Sequence, residues 1–382
     1  MMWFADIKWE VVFYMATVFS ENPEKDLWRE LLQFTYEANI KRYLAKKGLE
    51  ADEDTISCIV GSFLQANEYY KSAKDANLQI SPLLLYYGST NLLYGMVNLL
   101  SGSINKISNH GMKIFIPKQM DFIADTVIRF LSPADGGVHV VARSMGFTSD
   151  LTGFGDWNLR EFLDSIAEIS SDFTQCYEVQ IGYTAMLDVF NTPDGKAEKI
   201  YFSVNNRDNL IELLNNVEGF EKSYLRVSIA KEHETGKEYF VLRHKLTGKD
   251  ISELSYSGQP YLRAGHIKKG RLITIPTILN MYISLFALAS LCRYYPECWS
   301  PFVLKDTTGE KLLIEKFLYY ARRLIPNFVL NKIVEDNVQY TSGRYTATDT
   351  IKLVGEHQVQ EMVERKIKSQ LERQHMNLKN SR

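Results

Sequence analysis

Residues Ser81 to Gly102 read SPLLLYYGSTNLLYGMVNLLSG. Ser81 and Pro82 are a first-turn pair that opens a helix, and the apolar run that follows is long enough for about six turns. Within it Gly88, Asn91, Gly95, Asn98 and Gly102 recur at steps of three and four. One face of an otherwise apolar helix therefore carries only small and amide side chains. Two readings fit. The face lets a second backbone lie close, with its amides bonded to neighbouring groups, or it lines a groove in which Asn91, Asn98 and a downstream His110 meet a polar ligand.

Working outward, the chain has the composition of an ordinary globular protein. Its 382 residues are 45% hydrophobic and 24% charged, with a formal net charge of −2. That balance excludes wholesale nucleic-acid binding by a basic surface but leaves room for a local basic patch, because net charge averages over faces. Aromatic residues reach 12%. The four cysteines, Cys58, Cys176, Cys292 and Cys298, form no C-x-x-C pair, and no His cluster has zinc-ligand spacing. Scattered cysteines in a long chain imply reduced thiols and a cytoplasmic protein. No metal and no cofactor is expected.

The N-terminal MMWFADIKWEVVFYMATVF interrupts its apolar residues with Asp6, Lys8 and Glu10, unlike a signal peptide. It is expected to pack on the body. Leu272 to Cys292 carries no charge and matches a bilayer in length, but Pro276, Asn280 and several Ser and Thr interrupt it. A buried core helix is expected there, and no membrane.

Periodicity predicts helices over residues 21–47, 55–73, 119–131, 159–169, 207–217, 310–323 and 326–335, with VHVVARS at Val138 as a short strand. Residues 178–190 alternate, turn at TPDGK and return over 199–204, a hairpin signal. A second pair, 224–230 and 238–244, flanks EHETGK. The expected fold is α+β, mainly helical, with a small central antiparallel β-sheet inserted between two helical sets. The expected divisions are an N-terminal helical region 1–175, a β region 176–250, a C-terminal helical region 251–338 packing on the first, and a linker with a charged amphipathic tail helix over 339–382. In that tail Val359, Val363, Ile367 and Leu371 form one apolar stripe. A homo-oligomer or a protein partner engaged through residues 350–382 is expected.

Catalytic motifs are scarce. There is no P-loop, no G-x-G-x-x-G after a strand, no G-x-S-x-G elbow and no H-E-x-x-H. PDGKAEK at Pro193 lacks the Glu-x-Lys of a nuclease, because Lys199 follows Glu198 directly. His266-Ile267-Lys268 opens like a phospholipase-D motif without the needed Asp. Asn105 to His110 has the spacing of an Arg–His ribonuclease pair but no Arg. Two features remain. One is the Asn/Gly face with His110 and Gly111 after it. The other is SLCRYYPECWSPF, where Arg293, Tyr294 and Trp299 sit at the end of the uncharged helix. Arg beside Tyr and Trp suits a phosphate or a base, and equally a helix C-terminus.

The residues Tyr69, Tyr70, Ala73, Pro82, Leu83, Leu84, Leu85, Tyr87, Gly88, His110 and Gly111 resemble the pattern of the YaaC-like family of bacterial proteins. NLREFLDSIAEI is similar to a second family block, with Ala167 in place of a Pro. MYISLFALASLCRYYPECW and LIEKFLYYARRLIPNFVLNKI are similar to a third, with Cys292 intruding before Arg293. The resemblance spans most of residues 55–335 and implies a cytoplasmic bacterial protein; it supplies no chemistry. The expected function is a non-catalytic binding or interaction protein, recognising a nucleotide or nucleic acid or serving as a subunit of a larger complex, phage defence among the candidates. The rival is a nuclease or nucleotide-processing enzyme using His110 and Arg293, which requires those two and a carboxylate in one cleft. The candidate binding residues are Asn91, Asn98, His110, Arg293, Tyr294 and Trp299.

Overall fold

The structure is a computed structural model and describes residues 16–178, 183–192, 195–201, 207–233, 235–245, 251–256, 259–336 and 338–342. Its centre is a helical hairpin, Glu53–Lys74 followed by Ser81–Ser101. Asp52 caps the first helix by accepting from the Thr55 amide at 2.8 Å. The hairpin is antiparallel, because Tyr70 meets Gly88 and Ser89, Phe63 meets Gly95, and Cys58 meets Asn98.

Here the small face of the second helix has its explanation. A Cβ on Gly88 would lie 2.8 Å from the Tyr70 ring and 3.0 Å from Tyr69 Cβ. On Gly95 it would lie 3.1 Å from Phe63 and from Ser62. Glycine at both places lets two aromatic side chains of the partner helix press onto the backbone.

The uncharged segment forms the helix Thr277–Tyr294. By length and composition it is long and apolar enough to cross a membrane, but its apolar surface is buried in the protein's own core. It lies against Ser81–Ser101 and antiparallel to it, since Tyr282 approaches Thr90 while Arg293 reaches Tyr87. A fourth long helix, Glu310–Val334, completes this core and runs through Pro326 without a break. The N-terminal Pro23–Leu31 and Glu37–Lys46 pack on the same core, with Leu27, Leu31, Ile40 and Leu44 inward.

Strands are distributed among several small sheets. Met112–Phe115, Val127–Phe130 and Asp156–Asn158 form an antiparallel three-stranded sheet on the helical core. A four-stranded antiparallel sheet takes the order Asp188–Thr192, Gly195–Tyr201, Glu238–His244, Tyr224–Lys231. Arg207–Asn215 accompanies it, and Leu210, Leu213 and Leu214 join Ile200, Phe240 and Leu242 in a second, smaller core. The α+β class, mainly helical with β structure between two helical sets, is the observed one.

Several elements differ from expectation for local reasons. Residues 119–131 contain a short 3-10 turn and the strand Val127–Phe130, because VIRF finds ladder partners on both sides. VHVVARS is a helix, Gly137–Ser144, with Val138, Val141 and Ala142 buried at steps of three and one. Residues 21–47 break at a 3-10 turn, Leu32–Thr35, where the Thr35 hydroxyl donates to the Leu32 carbonyl at 2.7 Å. Val338–Thr341, expected to begin a linker, is a strand paired in parallel with Ala16–Phe19. The tail stripe, most of the N-terminal segment and the Pro193–Asp194 turn lie outside the described residues.

Candidate functional site, an aromatic and arginine shelf

Because the two apolar helices run antiparallel, the last turn of Thr277–Tyr294 lies beside the first turns of Ser81–Ser101. That places Arg293 over Tyr87, to whose hydroxyl its guanidinium donates. The guanidinium carbon also lies 5.0 Å from the Tyr294 ring and 6.0 Å from the Tyr87 ring. Tyr87 in turn stacks on Tyr69 of the neighbouring helix, with centroids 6.0 Å apart and planes at 28°. Arg293 and Tyr294 are both exposed, and among the described residues no carboxylate lies within ion-pair distance of Arg293. The result is a shelf of three tyrosine rings around one unneutralised guanidinium.

Beneath it lies a second layer. Tyr86 stacks on Tyr282 at 5.6 Å and 23°, and meets Phe286 edge-on at 5.6 Å. His110 closes the layer, its Nδ1 2.7 Å from the Tyr86 hydroxyl and its ring 5.6 Å from Phe286. Loss of water against these rings pushes the His110 imidazole below its ordinary value, and the positive charge of Arg293 pushes the same way. A neutral ring accepts from Tyr86 at Nδ1 and so carries its proton on Nε2, a donor.

The loop that presents His110 is held by backbone. Gly137 donates to the Asn109 carbonyl at 2.8 Å and Val138 to the His110 carbonyl at 3.1 Å. Gly111 sits at φ +77°, and a Cβ on Gly136 would fall 2.3 Å from the Gly111 Cα. Only a glycine pair permits that approach.

The structure thus gathers three of the expected residues, His110, Arg293 and Tyr294, at one place. Asn91 lies one turn below Tyr87, half-buried, with its amide nitrogen donating to the Tyr87 carbonyl at 2.9 Å. Asn98 and Trp299 are not available to a ligand. Asn98 is fully buried, and its oxygen accepts from the Asn105 amide at 2.9 Å. Trp299 is fully buried against Phe302, its indole N–H donating to the Gln79 carbonyl at 3.3 Å. Both hold the fold because their polar atoms meet backbone rather than solvent. Tyr86 and Tyr282 carry no mark as site residues in the sequence, and Tyr69 enters only through the family pattern. The tandem pairs Tyr69-Tyr70 and Tyr86-Tyr87 were the visible signal: adjacent residues on a helix point about 100° apart, so one ring can pack inward while the other stays at the surface.

The carboxylate that an acid–base site requires is not among the partners of His110 or Arg293 in the described residues. Nor do any three described His, Cys, Asp or Glu side chains converge as a metal site.

A model of the YaaC-like proteins matches residues 21–333. The chain belongs to the YaaC-like family. The match takes in both apolar helices, the His110 loop, the β region and the Glu310–Val334 helix, so the whole shelf lies within the YaaC-like part. No curated protein and no solved structure matches the chain.

Proposed function

We propose that this YaaC-like protein is a non-catalytic binding protein whose ligand is a nucleotide or a nucleic-acid segment, taken up at the Tyr87–Arg293 shelf. The observation that carries the reading is the exposed Arg293 guanidinium lying between Tyr87 and Tyr294 with no carboxylate among the described residues to neutralise it. A phosphate meets the fork of the guanidinium, and a base finds ring faces beside it. Base–aromatic stacking contributes roughly 1–3 kcal/mol per base, enough for tenfold to hundredfold in affinity. A cytoplasmic location agrees with four cysteines that are all free. Service as a subunit of a larger assembly rests on the apolar stripe in the sequence of residues 350–382, a contact for a partner or a second copy.

The enzyme reading, with His110 and Arg293 processing a nucleotide, has the two residues together but no carboxylate beside them among the described residues. The test begins with native mass spectrometry of the protein as purified, then titration with nucleoside mono- and triphosphates. A retained nucleotide mass, and at least a tenfold loss of affinity in Arg293→Ala at unchanged unfolding midpoint, supports the binding reading. Affinity that is indifferent to Arg293→Ala and Tyr87→Leu overturns it. Turnover of the bound nucleotide that disappears in His110→Asn replaces it with the enzyme.

A further inference from the structure

The net charge of −2 conceals a local concentration of cations on the far side of the small three-stranded sheet. That sheet buries Met112, Ile128, Phe130 and Trp157 against the core and turns Lys113, Phe115 and Arg129 outward. Lys113 stands directly opposite Arg129, and Arg129 opposite Asp156. The Arg129 guanidinium lies 4.6 Å over the exposed Phe115 ring while gripping Asp156 through two bonds of 2.6 and 2.7 Å.

The hairpin His266–Lys268 and Arg271–Ile273 adjoins the Asp156–Asn158 edge of this sheet. Its turn has Lys269 at φ 50° and Gly270 at φ 71°, the primed geometry of a two-residue hairpin loop. Three cations of the hairpin abut the segment that runs into the sheet. Lys268 Nζ lies 3.3 Å from the Asp156 carbonyl and pairs with Glu161 at 2.7 Å. Lys269 lies against Gly155, while Arg271 lies against Gly153 with its guanidinium 4.5 Å over Phe154. The cations therefore run across the outer face of the sheet from Lys113 to Arg129 and continue past its Asp156 edge onto the hairpin, where Lys268 lies 4.6 Å over the inward Trp157 ring.

Two of its five cations, Arg129 and Lys268, are neutralised by Asp156 and Glu161. Lys113, Lys269 and Arg271 have no carboxylate at ion-pair distance among the described residues, although Arg271 acts on the Asp150 carboxyl at longer range. Exposed apolar groups adjoin them: Phe115 under the Arg129 guanidinium, and Ile267 opposite Leu272 on the other face of the hairpin from Lys268 and Arg271. Cations beside an exposed ring face complement a chain in which phosphates lie beside bases.

We propose that this sheet-and-hairpin face is a docking surface for the phosphodiester backbone of a nucleic acid, separate from the Tyr87–Arg293 shelf. It shares no residue with the shelf and does not depend on the shelf's ligand. An acidic protein segment offers anions without regularly spaced sugars and bases, and is an outcome of the test.

The experiment is fluorescence anisotropy of a labelled 20-nucleotide single strand, RNA and DNA, titrated with the full chain between 50 and 300 mM salt. Three uncompensated cations predict a log–log salt slope of roughly −2. The triple variant Lys113→Glu, Lys269→Glu, Arg271→Glu alters exposed side chains only. It is expected to keep the unfolding midpoint and to bind at least tenfold more weakly, whereas Lys305→Glu, an exposed charge reversal at a residue of neither surface, binds the strand as the wild type does. Absence of binding at 50 mM salt, a slope near zero, or wild-type affinity in the triple variant overturns the proposal. So does labelled polyglutamate binding as tightly as the strand through the same three residues. A failed nucleotide titration at the shelf leaves these outcomes unaltered, so the two readings fall separately.

Discussion

Three helical glycines permit a controlled test of why the face of the central helix is bare. At Gly88 a new Cβ would lie 2.8 Å from the Tyr70 ring and 3.0 Å from Tyr69 Cβ. Tyr70 has nowhere to go: it is buried, its hydroxyl is bonded to Ser89 at 2.8 Å, and Trp28 packs on its ring at 5.0 Å. Overpacking of this kind costs about 1–3 kcal/mol, while alanine gains about 1 kcal/mol of helix propensity over glycine. Gly88→Ala is therefore expected to destabilise the protein by up to about 2 kcal/mol. At Gly95 the contacts with Phe63 and Ser62 are 3.1 Å, so a shift of a few tenths of an ångström relieves them. There the two effects offset and the change is close to zero. At Gly61, on the other helix of the hairpin, nothing lies within 4 Å. Gly61→Ala is expected to stabilise by up to about 1 kcal/mol. Urea unfolding followed by circular dichroism and by tryptophan fluorescence gives all three values, provided the two transitions coincide. If Gly88→Ala is as stable as Gly61→Ala, the face is not there for close packing and the explanation is wrong.

Burial lifts the Asp164 carboxyl to about 7, against a backbone bond from Tyr183 that pulls it down. Its native form holds a proton that the unfolded chain releases near 3.8, so stability falls as pH rises between those values and stays low above them. The ceiling of that loss is roughly 4 kcal/mol. Asp164→Asn is expected to gain stability over the wild type progressively from pH 4 to 7.5; a difference that does not change with pH refutes it. His266 has the opposite sign: burial first, then Lys268 and Arg263, lower it to about 3, so stability is lost as pH falls below 6.5, and His266→Gln should flatten that acid limb in the same pH series. Glu310→Ala leaves the amides of Ile123 and Ala124 and the Tyr177 hydroxyl without their buried acceptor, for a loss of about 3 kcal/mol or more in urea unfolding. Asn98→Ala orphans the Asn105 amide and should cost about 1–3 kcal/mol, whereas Asn91→Ala, half-buried and bonded within its own helix, should stay within about 0.5 kcal/mol; equal effects contradict this assignment.

The sequence by itself determined the class and the long helices. Periodicity over twenty residues, with Pro82 inside the first turn and Gly102 after the last, specifies Ser81–Ser101 whatever surrounds it. The lack of charge over 272–292 specified a helix that must be covered. The family pattern was legible because it falls on those same helices. Short segments were less so. VHVVARS and VIRF are both rich in branched residues, yet the first is a helix whose leading amides are taken by the Asn109 and His110 carbonyls, and the second is a strand between two others. Nothing local distinguishes them; the choice belongs to partners far along the chain. The shelf was half legible for the same reason. Residue types marked His110, Arg293 and Tyr294, but whether Arg293 lay near His110 turned on the direction in which two apolar helices pack. Apolar stripes bury equally well parallel or antiparallel, and the connections and the remaining core select one. Tertiary structure alone therefore brought Arg293 to Tyr87, drew Trp299 and Asn98 inside, and set Lys113 opposite Arg129 with the hairpin cations at the edge of their sheet.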